Sequence, residues 1–129
     1  MSNQSGRDEV YVRPLGGSGD VVQVSQGGGS EPVWAKSGRE IFYRGAANAT
    51  PELMSAAVET SPVFRVTSRR PLFPDAEFLP TTPHANYDVS PDGTTFAMVR
   101  ANPTSRIVIL QNLPALVARL AGRGARSGP

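Results

Sequence analysis

His84 is the single histidine of this 129-residue chain, and cysteine is absent. A zinc site would therefore rest on carboxylates, a poor ligand set for that metal. As a general base His84 would need a nucleophile within hydrogen-bond reach. The sequence places none beside it, so it reads as a loop residue. Gly16-Gly17-Ser18-Gly19-Asp20 approaches the Gly-x-Ser-x-Gly nucleophile elbow but carries Asp20 where the last glycine belongs. Gly27-Gly28-Gly29-Ser30 has the glycine content of a phosphate loop without its lysine or the helix that should follow, and reads as a flexible connector. Asp88 and Asp92 flank a turn and could touch a cation, but such side chains more often bond their own turn backbone. Trp34 could be a ligand platform; at the end of a strand it is expected in the core. Asn48-Ala49-Thr50 fits a glycosylation sequon with Pro51 after it, and Pro80-Thr81-Thr82-Pro83 fits a polyproline ligand spacing but reads as linker. No catalytic, cofactor-binding or metal-ligating set emerges.

What must position these residues is a strand–turn–strand unit present twice. The first copy runs Pro32-Val33-Trp34-Ala35-Lys36-Ser37-Gly38-Arg39-Glu40-Ile41-Phe42-Tyr43. The second runs Tyr87-Asp88-Val89-Ser90-Pro91-Asp92-Gly93-Thr94-Thr95-Phe96-Ala97-Met98. Aligned, Val89 falls on Trp34, Gly93 on Gly38, Phe96 on Ile41 and Met98 on Tyr43, an offset of 55 residues. Ser90-Pro91-Asp92-Gly93 suits a type I turn. Ser90 can bond back to the backbone, Pro91 presets its φ, and Gly93 accepts a positive φ. A type I turn followed by a left-handed glycine is a common hairpin connection. The first copy keeps only Gly38, so its turn is expected to be looser.

Those residues carry a resemblance. Pro-x-Trp-x-x-x-Gly-x-Glu-Ile-Phe-Tyr and Tyr-Asp-Val-Ser-Pro-Asp-Gly-x-x-Phe resemble the TolB-type, WD-like β-propeller repeat of bacteria. The likeness is closer to the C-terminal end of propellers fused to serine/threonine kinases. There a Tyr-Val-Arg-Pro strand, a Gly-Gly-x-x-Pro-x-Trp lead-in and a final Tyr-Asp-Val-Ser-Pro-Asp-Gly hairpin follow in this order. It covers about residues 9–113. Trp34, Gly38, Tyr43, Ser90, Pro91, Asp92 and Gly93 are the structural motif it implies. Ligands would face the loops holding Glu31, His84, Asn86 and Tyr87.

The fold class expected is all-β: a partial β-propeller of about two and a half antiparallel blades with a short C-terminal helix. Residues 1–8 should be disordered, and 9–26 form the outer half of a blade, with strands at Glu9–Arg13 and Val21–Ser25. Residues 27–83 hold a complete blade plus linker, with strands at Pro32–Ala35, Glu40–Arg44, Leu53–Val58 and Phe64–Leu72. Leu53–Val58 is helical by propensity but is needed as the third strand. Residues 45–51 should be a loop. Residues 84–113 form the last blade, with strands at Asn86–Val89, Thr94–Arg100 and Arg106–Leu110. Residues 114–129 are a short helix and basic tail, since Leu113, Leu116, Val117 and Leu120 share one helix face. Apolar runs such as Ile41-Phe42-Tyr43 and Ile107-Val108-Ile109-Leu110 lack polar alternates, as in strands packed on both faces.

The 13 glycines and 12 prolines fit many turns and few helices. Net charge is +2, yet no acidic residue follows Asp92 while Arg100, Arg106, Arg119, Arg123 and Arg126 do. That tail reads as a solvated terminus rather than a specific nucleic-acid site. No stretch is long and apolar enough to span a membrane, and no signal peptide is visible, so the compartment stays open with the cytoplasm as default. Closed propellers hold four to eight blades. The chain is thus expected to be a piece of a larger ring, or to complete one by self-association. Its expected role is a non-catalytic protein- or peptide-binding or sensor module without cofactors. Its partners would be a protein or peptide, or the remaining blades. The alternatives are the substrate-gating region of a prolyl-oligopeptidase-like hydrolase, or a gene remnant without independent function.

Overall fold

The computed structural model describes residues 6–16, 19–47, 49–81, 84–100 and 106–110. They form nine strands in three antiparallel sheets that follow one another in chain order. The first sheet pairs β1 (Tyr11–Val12) with β2 (Val22–Gln23). The second runs β3 (Ser30–Trp34), β4 (Glu40–Ala47), β5 (Thr50–Glu59) and β6 (Arg65–Pro74), each beside the next. The third runs β7 (Tyr87–Val89), β8 (Phe96–Arg100) and β9 (Arg106–Leu110). No helix occurs among the described residues, and the expected helix at 113–120 lies outside them. The sheets do not close on themselves.

The period of two along β4 and β5 explains why the centre of the middle sheet is apolar on both faces. Ile41 and Tyr43, with Met54, Ala56 and Val58, pack against Val10 and Val24 of the β1–β2 unit. Phe42 and Leu53, with Leu72 and Phe73, pack against Tyr87, Phe96 and Met98 of the third sheet. Successive residues of β4 therefore enter different cores, which is what an apolar run without alternation requires. Edge-to-face rings join the second core: Phe96 stands 5.0 Å from Phe42 and 5.8 Å from Phe73 between centroids.

The segment with helical propensity, Leu53–Val58, lies within β5, whose neighbours β4 and β6 pair with it along both edges. Hydrogen-bonded ladders on both edges, the one to β6 shifted in register at Leu53/Met54 and Ala57/Val58, outweigh a preference worth tenths of a kcal/mol per residue (~0.5). The loop expected at 45–51 is mostly strand. Gly45 pairs with Glu52, Ala46 with Pro51 and Ala47 with Thr50. A Cβ on Gly45 would come within 2.9 Å of Met54 Cγ and 3.0 Å of the Tyr43 ring, so this close approach requires glycine. The N-terminal segment is tied down at its last residue, since Gly29 N donates to Asp8 O at 2.8 Å.

Both hairpin turns share one hydrogen-bond pattern. Gly38 N donates to Ala35 O (2.9 Å) and Ala35 N to Glu40 O (2.9 Å); the equivalents are Gly93 N to Ser90 O (2.8 Å) and Ser90 N to Thr95 O (2.8 Å). Gly38 and Gly93 have φ of 69° and 74°. Trp34 pairs with Ile41 as Val89 does with Phe96. The first turn is looser only in its side chains. It has Arg39 N to Ser37 Oγ at 3.3 Å. In the second, Asp92 Oδ1 accepts Thr94 N (3.0 Å) and Thr94 Oγ1 (2.8 Å), and Ser90 Oγ accepts Thr95 N (2.9 Å). Bonds from Ser90 and then Thr94 hold the Asp92 carboxyl below its usual range. Asp88 likewise accepts its neighbour's Val89 N at 2.8 Å. Both aspartates bond their own turn and strand.

Trp34 departs from expectation: it is 45% exposed rather than core. Its ring meets Phe64 edge-on at 6.2 Å. The reason is geometric. Trp34 pairs with Ile41 and so shares its face, but β3 is the edge of its sheet. The two-stranded unit on that side covers β4 and β5 and stops short of it.

Candidate functional site

One end of the middle sheet gathers the residues with chemical potential. β4 carries Arg44 on the same face as Phe42, directed at the third sheet's core. A guanidinium on that face must be paired. Arg44 Nη1 donates to Asp75 Oδ2 at 2.7 Å and Nη2 to Leu79 O at 3.1 Å. Arg44 Nε lies 3.0 Å from Glu31 Oε1 but off the N–H axis, an ionic contact without a hydrogen bond. Its Cζ sits 5.8 Å from the Tyr87 ring centroid, within cation–π range. Arg44, Glu31 and Asp75 are all buried.

Glu31 occupies a bulge of β3 between Ser30 and Val33, with φ of 50°. A non-glycine residue in that region is strained by roughly 1 kcal/mol or more. Its polar atoms hold it there. Oε1 accepts Thr81 N (2.9 Å), Oε2 accepts Asn86 N (2.7 Å), and its carbonyl accepts Tyr87 Oη–H (2.8 Å). Asn86 Nδ2 also donates to Leu79 O at 3.1 Å. Glu31 therefore fastens the connector between β6 and β7 to the start of β3. Burial pushes the Asp75 carboxyl up, against the opposing pull of the Arg44 guanidinium.

A second buried network lies on the other face. Ser25 Oγ accepts Val10 N at 2.8 Å and donates to Glu9 Oε2, while Glu9 Oε1 accepts Gly28 N at 2.9 Å. Arg69 Nε donates to Val24 O at 2.6 Å, pinning the first sheet to β6. A Cβ on Gly29 would fall 2.4 Å from Ser25 Cβ, so this crossing needs glycine.

Between these networks opens a cavity of about 440 Å³. Gly27, Gly28, Gly29 and Ser30 form one wall, Arg44 and Asp75 its charged floor, and Pro51, Phe78 and Pro80 lie on its apolar sides. Ser30 carries the one hydroxyl among the described lining residues. No group of three His, Asp or Glu side chains is arranged to hold a metal among the described residues.

Of the residues expected to face a ligand, Glu31 and Tyr87 are buried and bonded to each other, Asn86 is half-buried, and His84 is exposed. The glycine connector reaches the cavity; His84 does not line it. Sequence reading missed Arg44 and Asp75. Arg44 had a signal, because it follows Ile41-Phe42-Tyr43 at the two-residue spacing from Phe42. Asp75, after Pro74 in a proline-broken stretch, had none.

The two buried tyrosines give this core a pH limit. Burial pushes the Tyr87 phenol well above its ordinary value, and Glu31 raises it further; burial also raises Tyr43. In the folded chain both ionise at a higher pH than their unfolded counterparts, which ionise near pH ~10. Their contribution is intact below that pH and fades above it. Alkaline titration followed by phenolate absorbance and circular dichroism should show Tyr87 ionising only as the chain unfolds, and Tyr43 later than an ordinary phenol. Ionisation of Tyr87 with the fold intact would contradict this account.

Comparison with protein-family models, with curated proteins and with solved structures gives no match for this chain.

Proposed function

We propose that this chain is part of a β-propeller and serves as a non-catalytic protein- or peptide-binding module. The observation that carries it is the order of the stack. Ile41 and Tyr43 in one hairpin, and Phe96 and Met98 in the other, all point toward the preceding sheet. Equivalent residues thus make equivalent contacts in one direction, as repeated units stacked head to tail must. The uncovered places fit the same plan. Trp34 stands open where a two-stranded unit stops short of β3. Ile109 on β9 pairs with Ala97 and is 60% exposed on the outer side of the last sheet. Further strands of the ring would cover both.

Light scattering across a concentration series, with the emission of Trp34, tests this. Trp34 is the only tryptophan, so its emission reports that surface alone. The isolated chain should associate, or bind an added segment carrying further blades. Its emission should shift to the blue as it does, and Trp34→Asp and Ile109→Asp should each abolish association. A monomer at every concentration that melts cooperatively, with Trp34 open to iodide and indifferent to added blades, would overturn the reading. Turnover of ester, peptide or phosphate substrates by the purified chain would overturn its non-catalytic part.

A further inference from the structure

We propose that the cavity between the glycine connector and residues 75–80 receives the cationic side chain, ammonium or guanidinium, of a basic peptide segment. The inference rests on the peptide-binding reading above and names the chemistry of what is bound. Charge decides the sign of the ligand. The buried cluster holds two carboxylates, Glu31 and Asp75, and one guanidinium. Arg44 spends its two Nη donors on Asp75 and Leu79 O and its single charge faces both carboxylates, so one negative charge has no matching cation within the cluster. Burial disfavours the charged form of the Asp75 carboxyl, and a ligand cation would offset that cost.

An anion is disfavoured at the same wall. Gly28 N is committed to Glu9 Oε1 and Gly29 N to Asp8 O, so the glycine loop cannot cradle a phosphate with those donors. Glu52 sits across from Gly45, which lines the cavity, and its Oε2 is shut off from solvent without a hydrogen-bond partner among the described residues. Asp8 and Glu9 precede β1 beside the glycine wall, and Glu77 follows Ala76 at the rim, where it pairs with Arg100. This end of a chain of net charge +2 is therefore acidic. The apolar sides suit the methylene stem of lysine or arginine, which buries its carbons while its head finds charge. A volume of about 440 Å³ admits one such side chain with room for water.

Calorimetry with acetyl-Gly-Lys-Gly-amide, its norleucine counterpart and its glutamate counterpart tests the proposal, with spermidine as a free amine. The lysine peptide should bind at least tenfold more tightly than the norleucine peptide, the order of one charge-assisted hydrogen bond (~tenfold or more). It should also bind more tightly than spermidine, which lacks the peptide backbone. Asp75→Asn should remove roughly tenfold of that affinity. Since Asp75 also holds Arg44, an independent variant is needed: Ala76→Trp, at an exposed lining position, should block the cavity with the fold intact. Equal binding of the lysine and norleucine peptides, lysine affinity unchanged in both variants, or preference for spermidine would overturn the proposal. In the first case the peptide-binding reading survives. If none of the peptides binds, this inference falls and the light-scattering experiment still judges the module.

Discussion

Arg44→Met lowers the unfolding free energy by roughly 3–5 kcal/mol, the range for removing one partner of a buried ion cluster. Methionine replaces most of the side-chain volume, so cavity formation contributes little. What is lost is the only cation between two buried carboxylates. Asp75 loses its 2.7 Å hydrogen bond, and Glu31 keeps its two backbone donors without the charge that balances it. The strained φ of Glu31 then has less to hold it. A domain of this kind is stable by about 5–15 kcal/mol, so urea denaturation should show a large loss. The pH dependence fixes the cause. Arg44 pulls the Asp75 pKa down against burial; without it the folded-state value rises further above the unfolded one. A raised carboxylate favours folding while protonated and loses that advantage as pH rises through its folded pKa. The damage should therefore be greatest near neutral pH and shrink in mild acid. Adding Asp75→Asn should recover part of the loss at neutral pH. Equal destabilisation at both pH values would assign the effect to packing instead.

Phe96→Ala costs roughly 3–5 kcal/mol by the range for truncating a buried phenylalanine. Phe96 is fully buried and stands edge-on to both Phe42 and Phe73, from β4 and β6 of the preceding sheet. Its loss empties the centre of the contact between the second and third sheets and leaves the contact around Tyr43 untouched. Hydrogen exchange should then accelerate most in β7–β9, while Val10, Val24 and their partners on β4 keep their protection. A double-mutant cycle with Phe42→Ala should give a coupling of about 0.5–1.5 kcal/mol. A coupling near zero, or uniform loss of protection, would mean that the two contacts are not separate layers.

Much of the fold was legible in residues whose local chemistry has one solution. Ser90-Pro91-Asp92-Gly93 forms the turn its types demand, and Gly38 adopts the left-handed φ that let it stand alone in the first copy. The unalternating run Ile41-Phe42-Tyr43 belongs to a strand covered on both sides. Element ends were less legible. β4 and β5 extend to Ala47 and from Thr50 because their ladder continues through residues with little strand preference. The site was least legible. Glu31 was expected to face a ligand and instead anchors a connector, because its carboxylate meets backbone donors fifty or more residues away. Trp34 was expected in the core and lies open, since burial of an edge strand depends on what the adjoining sheet covers.

The chain's own residues determined the two matching turns and the two-sided packing of the middle sheet. Each follows from backbone preference and a period of two, which act over a few residues. Tertiary structure alone decided the pairing of Arg44 with Glu31 and Asp75, the cavity beside them and the exposure of Trp34. Those depend on distances between segments far apart in the chain, and no local preference encodes which distant charge a buried guanidinium will meet.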